Sequence, residues 1–309
     1  MDIAFNRFSS KSLLSAGLLL TIYCLWISCF VGIRSDHIFL ICLSLFCYFL
    51  NSATRKFITA FFIFIIYWIV YDAMRIVPNY TVNTVHIKDL YDLEKSCFGI
   101  HVNNILITPN EFLKMHQSTA ADVIAGLFYI NWVPVPLAFA FYLLFKDKIY
   151  FLRFSYAFVL TNLIGFIVYY LYPAAPPWYV EKYGFEFYRS AASSSAGFAR
   201  VDELLGINLF GAIYSKNANI FAAMPSLHAA YPVVVLFYAI KRRMKTAVAS
   251  GFIIFLLGIW FAAVYSFHHY IIDVLLGATC AIAAISILER VLLTQPGISN
   301  WFYRLSKKI

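Results

Sequence analysis

The sequence predicts an all-α protein of the membrane, a helical bundle of about eight transmembrane helices with ordered segments on its non-cytoplasmic side. Three observations carry this. Hydrophobic residues make up 62% of the 309-residue chain, far above the share found in a water-soluble domain. They fall in runs close to the roughly 20 residues a helix needs to cross a bilayer, with short charged stretches between. Lys and Arg gather on alternate connections, as loops held on the cytoplasmic side require.

Taken in order, the first run, 12–33, follows Arg7 and Lys11. It lacks a small-x-small cleavage site, so it is read as a span rather than a signal peptide. Runs at 37–50 and 57–74 are short and rich in aromatics, and five more lie at 120–145, 149–172, 220–240, 246–265 and 268–289. This gives eight helices, or seven if one short run stays out of the membrane. With the N-terminus inside, fifteen of the 24 Lys and Arg face the cytoplasm with three Asp and Glu, leaving nine cations and twelve acids outside. The expected organisation is N-terminal helices over 1–74, an extracytoplasmic interfacial segment over 75–119, a catalytic membrane core over 120–290 and a basic cytoplasmic tail over 291–309. The long outer segment 173–219 also mixes charges with aromatics. Ile87, Leu90, Leu93, Glu94 and Phe98 fit an amphipathic helix lying along the membrane surface.

Cationic loops facing anionic lipid explain the net charge of +9 better than nucleic acid does, and no nucleic-acid partner is expected. Five of the six cysteines, Cys24, Cys29, Cys42, Cys47 and Cys280, lie in or beside apolar runs, and Cys97 completes the set. Their spacing suggests neither a disulfide framework nor a metal site.

Three motifs fall at outer span ends. In His269-Tyr-Ile-Ile-Asp273, four-residue spacing puts an imidazole and a carboxylate on one helix face. A carboxylate on one ring nitrogen frees the other to attack phosphorus. Pro225-Ser226-Leu227-His228 opens the sixth span, where proline suits a first turn and free backbone N–H groups favour an anion. Tyr172-Pro-Ala-Ala-Pro-Pro-Trp178-Tyr179 stops the fifth span and sets two aromatics at the interface. Each motif alone is compatible with ordinary capping or packing. The charge count, made without them, sends all three to the same membrane face.

Pro225–His228 and His269–Asp273 resemble the type 2 phosphatidic acid phosphatase superfamily, whose membrane members use two histidines and an aspartate for phosphoryl transfer. Within it, the runs 174–179, 196–206, 221–228 and 268–273 are similar to the inositol phosphorylceramide synthases. The likeness is strong over about 170–280 and weaker over Tyr91–Gly99. The superfamily's phosphatases carry a Lys-x6-Arg-Pro motif and an arginine six residues before the nucleophilic histidine. This chain has no Arg-Pro pair, and Ala263 stands at that arginine position. Those arginines clamp a phosphomonoester dianion, whereas a phosphodiester carries a single charge, so their loss favours a diester-handling transferase.

The resemblance implies a six-helix lipid phosphatase-type core with His228, His269 and Asp273 catalytic. Arg200, Ser226 and Arg75 are candidates to hold phosphate, and Trp178, Tyr179 and His268 to line the headgroup and lipid site. His269 would attack the donor lipid's phosphorus and form a phosphohistidine intermediate as diacylglycerol leaves. Asp273 would orient His269, and His228 would protonate the leaving alkoxide and then activate the acceptor hydroxyl. No cofactor and no metal are expected. The implied partners are a membrane phospholipid donor, phosphatidylinositol first, and a ceramide-type acceptor. The residues alone also fit ethanolamine or choline phosphate, and dihydroceramide or diacylglycerol as acceptor. A lipid phosphatase with the same three residues is the rival enzyme, and a transporter the rival outside catalysis. The expected location is a bacterial inner membrane with the site facing the periplasm, or a Golgi membrane with a luminal site.

Overall fold

The computed structural model describes residues 8–217 and 219–309; Asp2 and Arg7 of the charge count lie outside the described residues. Helix α1 (Ser10–Trp26) starts where the Ser9 hydroxyl accepts from the Ser12 N–H at 3.2 Å. It runs on through a wider turn to Gly32, whose φ of +88° ends it. Helix α2 (Ser35–Leu50) and helix α3 (Ser52–Ala73) follow, the latter opened by a reciprocal Asn51–Thr54 cap that satisfies two first-turn groups. Leu14 and Phe39 are 74% and 68% exposed, because the outer faces of α1 and α2 meet lipid rather than protein.

The outer segment folds as helix α4 (Lys88–Phe98), a hairpin of β1 (Ile100–Val102) and β2 (Ile105–Ile107), and helix α5 (Pro109–Met115). Asn103 and Asn104 form the hairpin turn with φ of 49° and 65°, the left-handed pair that matches strand twist. The expected amphipathic helix is present, and of its expected face only Leu93 is turned out. Leu90 and Glu94 are fully buried while Leu93 is 45% exposed, so α4 packs down on the bundle instead of floating on lipid.

Helix α6 (Thr119–Tyr129) and helix α7 (Pro134–Lys146) follow one another across a short break and are bent by 44°. Pro134 and Pro136 lack the N–H groups that would continue the helix. Helix α8 (Lys148–Leu171) returns to the end of the bundle that carries α4 and α5, where three short helices follow: α9 (Pro177–Tyr183), α10 (Ala199–Leu205) and α11 (Leu209–Tyr214). Helices α12 (Leu227–Lys241), α13 (Thr246–Tyr265) and α14 (Ile271–Ser286) complete the bundle. The C-terminal segment is a further helix, α15 (Pro296–Ser306), docked on α8 through Phe302. Five described helices are long and apolar enough to cross a membrane, six when the bent pair is counted as one span, and α2 and α12 are the shorter apolar ones. Each of the eight expected runs overlaps a helix or the bent pair, so eight spans is an approximate count; the sixth run needs correction at its start, since 220–226 lies ahead of α12.

The core lies where α8, α12 and α14 meet. Phe151, Phe154, Val234, Val235, Tyr238 and Ala281 are buried there. At the end of the bundle that carries α4 and α9, three chain crossings are stitched together. Ala174 N–H donates to Phe221 O at 2.9 Å, Ala223 N–H to Ala174 O at 3.3 Å, and Ala175 N–H to His86 O at 2.9 Å. These bonds fix the segments from which the candidate site is built.

Candidate active site

His228 is the second residue of α12, and His269 precedes α14 by two residues. Their rings meet, His228 Nδ1 lying 3.2 Å from His269 Nε2. The other nitrogen of His269, Nδ1, donates to the Ala223 carbonyl at 2.9 Å, while Asp273 Oδ2 stands further off at 3.6 Å. A proton held on Nδ1 leaves Nε2 unprotonated, as a nucleophile requires, and makes it the acceptor from His228 Nδ1–H in the resting contact. Asp273 is fully buried, its Oδ2 accepting from the Tyr270 N–H at 2.9 Å.

The expected helix-face pairing of His269 and Asp273 therefore needs correction. Tyr270 is the capping residue, so Asp273 sits in the first turn of α14 and caps it, with His269 outside the helix. The acid's direct bond goes to the backbone, and a carbonyl supplies the primary orientation of the imidazole. Pro225 is likewise outside α12: Ser226 is the cap, its hydroxyl accepting from the Ala229 N–H at 3.3 Å. Ser226 N–H donates to Asp273 O at 2.8 Å, tying the two histidine-bearing helix starts together. Fully buried and occupied in this way, Ser226 serves as a cap and a tether, and its hydroxyl is turned to the helix rather than offered to a phosphate.

Two buried side chains hold the second histidine from behind. Asn110 of α5 donates to Val264 O at 2.7 Å and to His269 O at 3.0 Å. Glu94 of α4 accepts from the Ile271 and Ile272 N–H groups at 3.0 and 3.1 Å, meeting the positive end of α14 with a carboxylate. Burial pushes the Glu94 carboxyl up to about 7 despite those two bonds. Sequence reasoning placed Glu94 on the amphipathic face but missed this role; a carboxylate among Ile87, Leu90 and Leu93 was the available signal.

The two histidines open into a cavity of about 580 Å3, which His268 also lines. Its inner part is apolar, walled by Phe64, Tyr67 and Trp68 of α3, Leu137 of α7 and Phe158 of α8. Its outer part carries Ser193, Asn208, Lys216, Asn217 and Asn219. Trp132 meets the His228 ring edge-on with centroids 4.5 Å apart. His268 is stacked on Tyr214 and Phe198 at 4.2 and 5.2 Å, its Nε2 paired with Ser195 O at 3.0 Å. Trp178 lines the cavity. Tyr179 lies behind it, fully buried, donating to Glu186 O and accepting from Tyr188 N–H, both at 2.8 Å.

Neither candidate arginine lines this cavity. Arg200 is paired with Asp122, with Nη2 to Oδ1 at 2.7 Å and Nε to Oδ1 at 3.0 Å. It faces a smaller polar pocket of about 250 Å3 with Lys114, Gln117 and Lys182. Arg75 bonds Asp72 Oδ1 at 3.0 Å and the carbonyls of Lys216 and Asn217; it anchors the loop instead of reaching the imidazoles. Lys216, on that loop, is the one Lys or Arg among the described residues lining the cavity. Ala263, at the phosphatase arginine position, is fully buried, and its carbonyl accepts from the N–H groups of His268 and His269 at 3.1 and 3.0 Å. A guanidinium side chain has no room there.

Paired histidines at helix starts, one oriented by a carbonyl and an acid, at the end of a lipid-sized cavity, define a class of membrane enzyme, and the chain belongs to it: the PAP2 superfamily, whose sequence profile matches residues 88–287. Among individual proteins, it is 45% identical over 297 residues to the phosphoinositol dihydroceramide synthase of Bacteroides thetaiotaomicron, covering 96% of this chain and 97% of that one. It is 28% identical over 240 residues to the inositol phosphorylceramide synthase of Candida albicans, covering 75% of this chain and 48% of that one. With the catalytic subunit AUR1 of the Saccharomyces cerevisiae inositol phosphorylceramide synthase it shares 35% identity over 120 residues, 38% of this chain and 29% of that one. No solved structure matches the chain.

Proposed function

We propose that this protein transfers inositol phosphate from phosphatidylinositol to ceramide or dihydroceramide and releases diacylglycerol. The observation that carries the reading is the His228–His269 contact at 3.2 Å where the cavity turns from apolar to polar. A lipid's chains fit the inner part, its phosphodiester the histidines and its headgroup the outer part. The named activities of the bacterial and fungal relatives support the same reaction.

His269 Nε2 attacks phosphorus, the P–O bond to diacylglycerol breaks, and inositol phosphate is held on the imidazole. His228 gives its proton to the leaving alkoxide, then takes one from the primary hydroxyl of the acceptor, which attacks phosphorus and frees His269. Asp273, 3.6 Å from Nδ1, stabilises the ring as it becomes cationic. Near-attack contact of about 3 Å on one side of phosphorus and proton-transfer contact of about 3 Å beyond the leaving oxygen together need well over the resting 3.2 Å. The two rings therefore part as a phosphodiester enters. Lys216 at the outer rim supplies positive charge to the phosphate, and Arg200 and Arg75 position the loops around it. The apolar inner wall keeps water from the intermediate, so a lipid hydroxyl is the acceptor. The charge asymmetry of the loops supports a site facing the periplasm across a bacterial inner membrane.

Purified protein supplied with phosphatidylinositol and dihydroceramide is expected to form inositol phosphoryldihydroceramide and diacylglycerol in equal amounts, and His269→Ala none. Release of inorganic phosphate from lipid phosphomonoesters, with no transfer, would replace this reading with a phosphatase.

A further inference from the structure

The outer part of the cavity holds buried polar atoms that the protein itself leaves unused. Asn219 is 7% exposed, and its Oδ1 accepts from the Phe221 N–H at 3.1 Å. The amide's other atom, Nδ2, is buried and has no partner. Ser193 Oγ is buried and also without a partner. Both residues line the same cavity as His228 and His269. A buried donor left unpaired costs roughly 1–3 kcal/mol, so two of them on residues that line one cavity point to a ligand that satisfies them once it settles against these side chains. No Asp or Glu is among the described lining residues, and Lys216 is their single Lys or Arg.

This inventory discriminates between headgroups. Choline offers methyl groups where Asn219 and Ser193 need hydrogen-bond partners. Ethanolamine offers an ammonium, which donates only, beside an amide donor and a lysine with no carboxylate to receive it. A neutral polyol offers oxygens that both donate and accept, and it meets every group present. We infer that the outer end of the cavity is a subsite for a neutral polyol headgroup, in which Asn219 and Ser193 bind ring hydroxyls and select inositol over ethanolamine and choline. This rests on the transfer reaction proposed above. Arg75 gives the subsite its shape by holding the carbonyls of Lys216 and Asn217, and the Asn217 Oδ1 accepts from the Asn219 N–H at 3.2 Å.

The test compares wild type, Asn219→Ala, Ser193→Ala and Asn219→Asp, each checked for abundance and melting temperature. Each protein is assayed with dihydroceramide and, separately, phosphatidylinositol, phosphatidylethanolamine or phosphatidylcholine as donor. Losing one uncharged hydrogen bond to substrate is expected to lower kcat/KM for phosphatidylinositol about tenfold. Rates with the other two donors should stay as they are, and Asn219→Asp should raise the ethanolamine rate. Unchanged use of phosphatidylinositol, or an equal loss with all three donors, would overturn the inference. A second readout needs no turnover: glycerophosphoinositol should raise the melting temperature of wild type but not of the Ala variants, and glycerophosphocholine should raise neither. Wild type that binds glycerophosphoinositol but transfers nothing from phosphatidylinositol would reject the proposed reaction while leaving the subsite standing. Absence of any glycerophosphoinositol effect on wild type would reject the subsite itself.

Discussion

Gly277 is where a single methyl group should do most damage without touching a reacting atom. It lies one turn along α14 from Asp273, and a Cβ built there would stand 2.0 Å from Ser226 O and 2.9 Å from Ser226 C. Ordinary contact begins at 3.4 Å, so the start of α12 and the face of α14 must separate by about 1.4 Å to admit alanine, given the 2.0 Å approach. The obstacle is backbone, which has no rotamer to change. Separation would break the Ser226 N–H to Asp273 O bond of 2.8 Å and carry His228, two residues on, away from His269. Overpacking of this kind costs about 1–3 kcal/mol, and a displacement of about 1 Å at reacting groups costs on the order of 100-fold in rate. Gly277→Ala, purified in detergent, is therefore expected to lose about 100-fold of its transfer rate with a moderately lowered melting temperature. Gly251→Ala is the control, since nothing lies within 4 Å of that position. A Gly277→Ala protein keeping more than half of the wild-type rate would refute the tether between the two helix starts.

Two other perturbations probe the supports of His269. Asp273→Asn should reduce the rate by roughly 10–100-fold, less than the about 10⁴-fold loss seen where an aspartate alone fixes a histidine tautomer, because the Ala223 carbonyl still holds Nδ1–H; steady-state rates measure it, and a loss beyond about 10⁴-fold would assign orientation to the acid. Glu94→Gln tests the buried carboxyl through stability. The folded chain holds this proton up to about pH 7, whereas the ordinary value is 4.5, so between these limits folding loses stability as pH rises, by on the order of 3 kcal/mol at most. The wild-type melting temperature should fall more steeply across that window than that of Glu94→Gln, and parallel slopes would contradict the assignment.

The spans were legible because a bilayer imposes length and polarity on every crossing helix, and α13 above all is spelled out as an unbroken run without charge. His228, His269 and Asp273 were legible because ionisable residues at apolar helix ends are rare and costly. What stayed hidden depends on the backbone. Any residue supplies a carbonyl, so nothing in the sequence marks Ala223 as the partner of His269. The Asp273 spacing suggested a helix face, but a capping turn satisfies the same spacing, and the start of α14 at Ile271 decides between them. Arg200 was a phosphate candidate through the resemblance alone, and its pairing with Asp122, 78 residues away, exists only in the fold. The hairpin around Asn103 and Asn104 went unread, because its strands are three residues each, too short to show alternation.

Stereochemistry at phosphorus tests the central claim most directly. A donor phosphatidylinositol made chiral with sulfur in place of one non-bridging oxygen is converted by the protein, and the configuration of the product is determined. Two successive in-line displacements through His269 predict overall retention. Inversion would mean that the acceptor hydroxyl attacks the donor in a single step, and the histidine-linked intermediate would have to be abandoned.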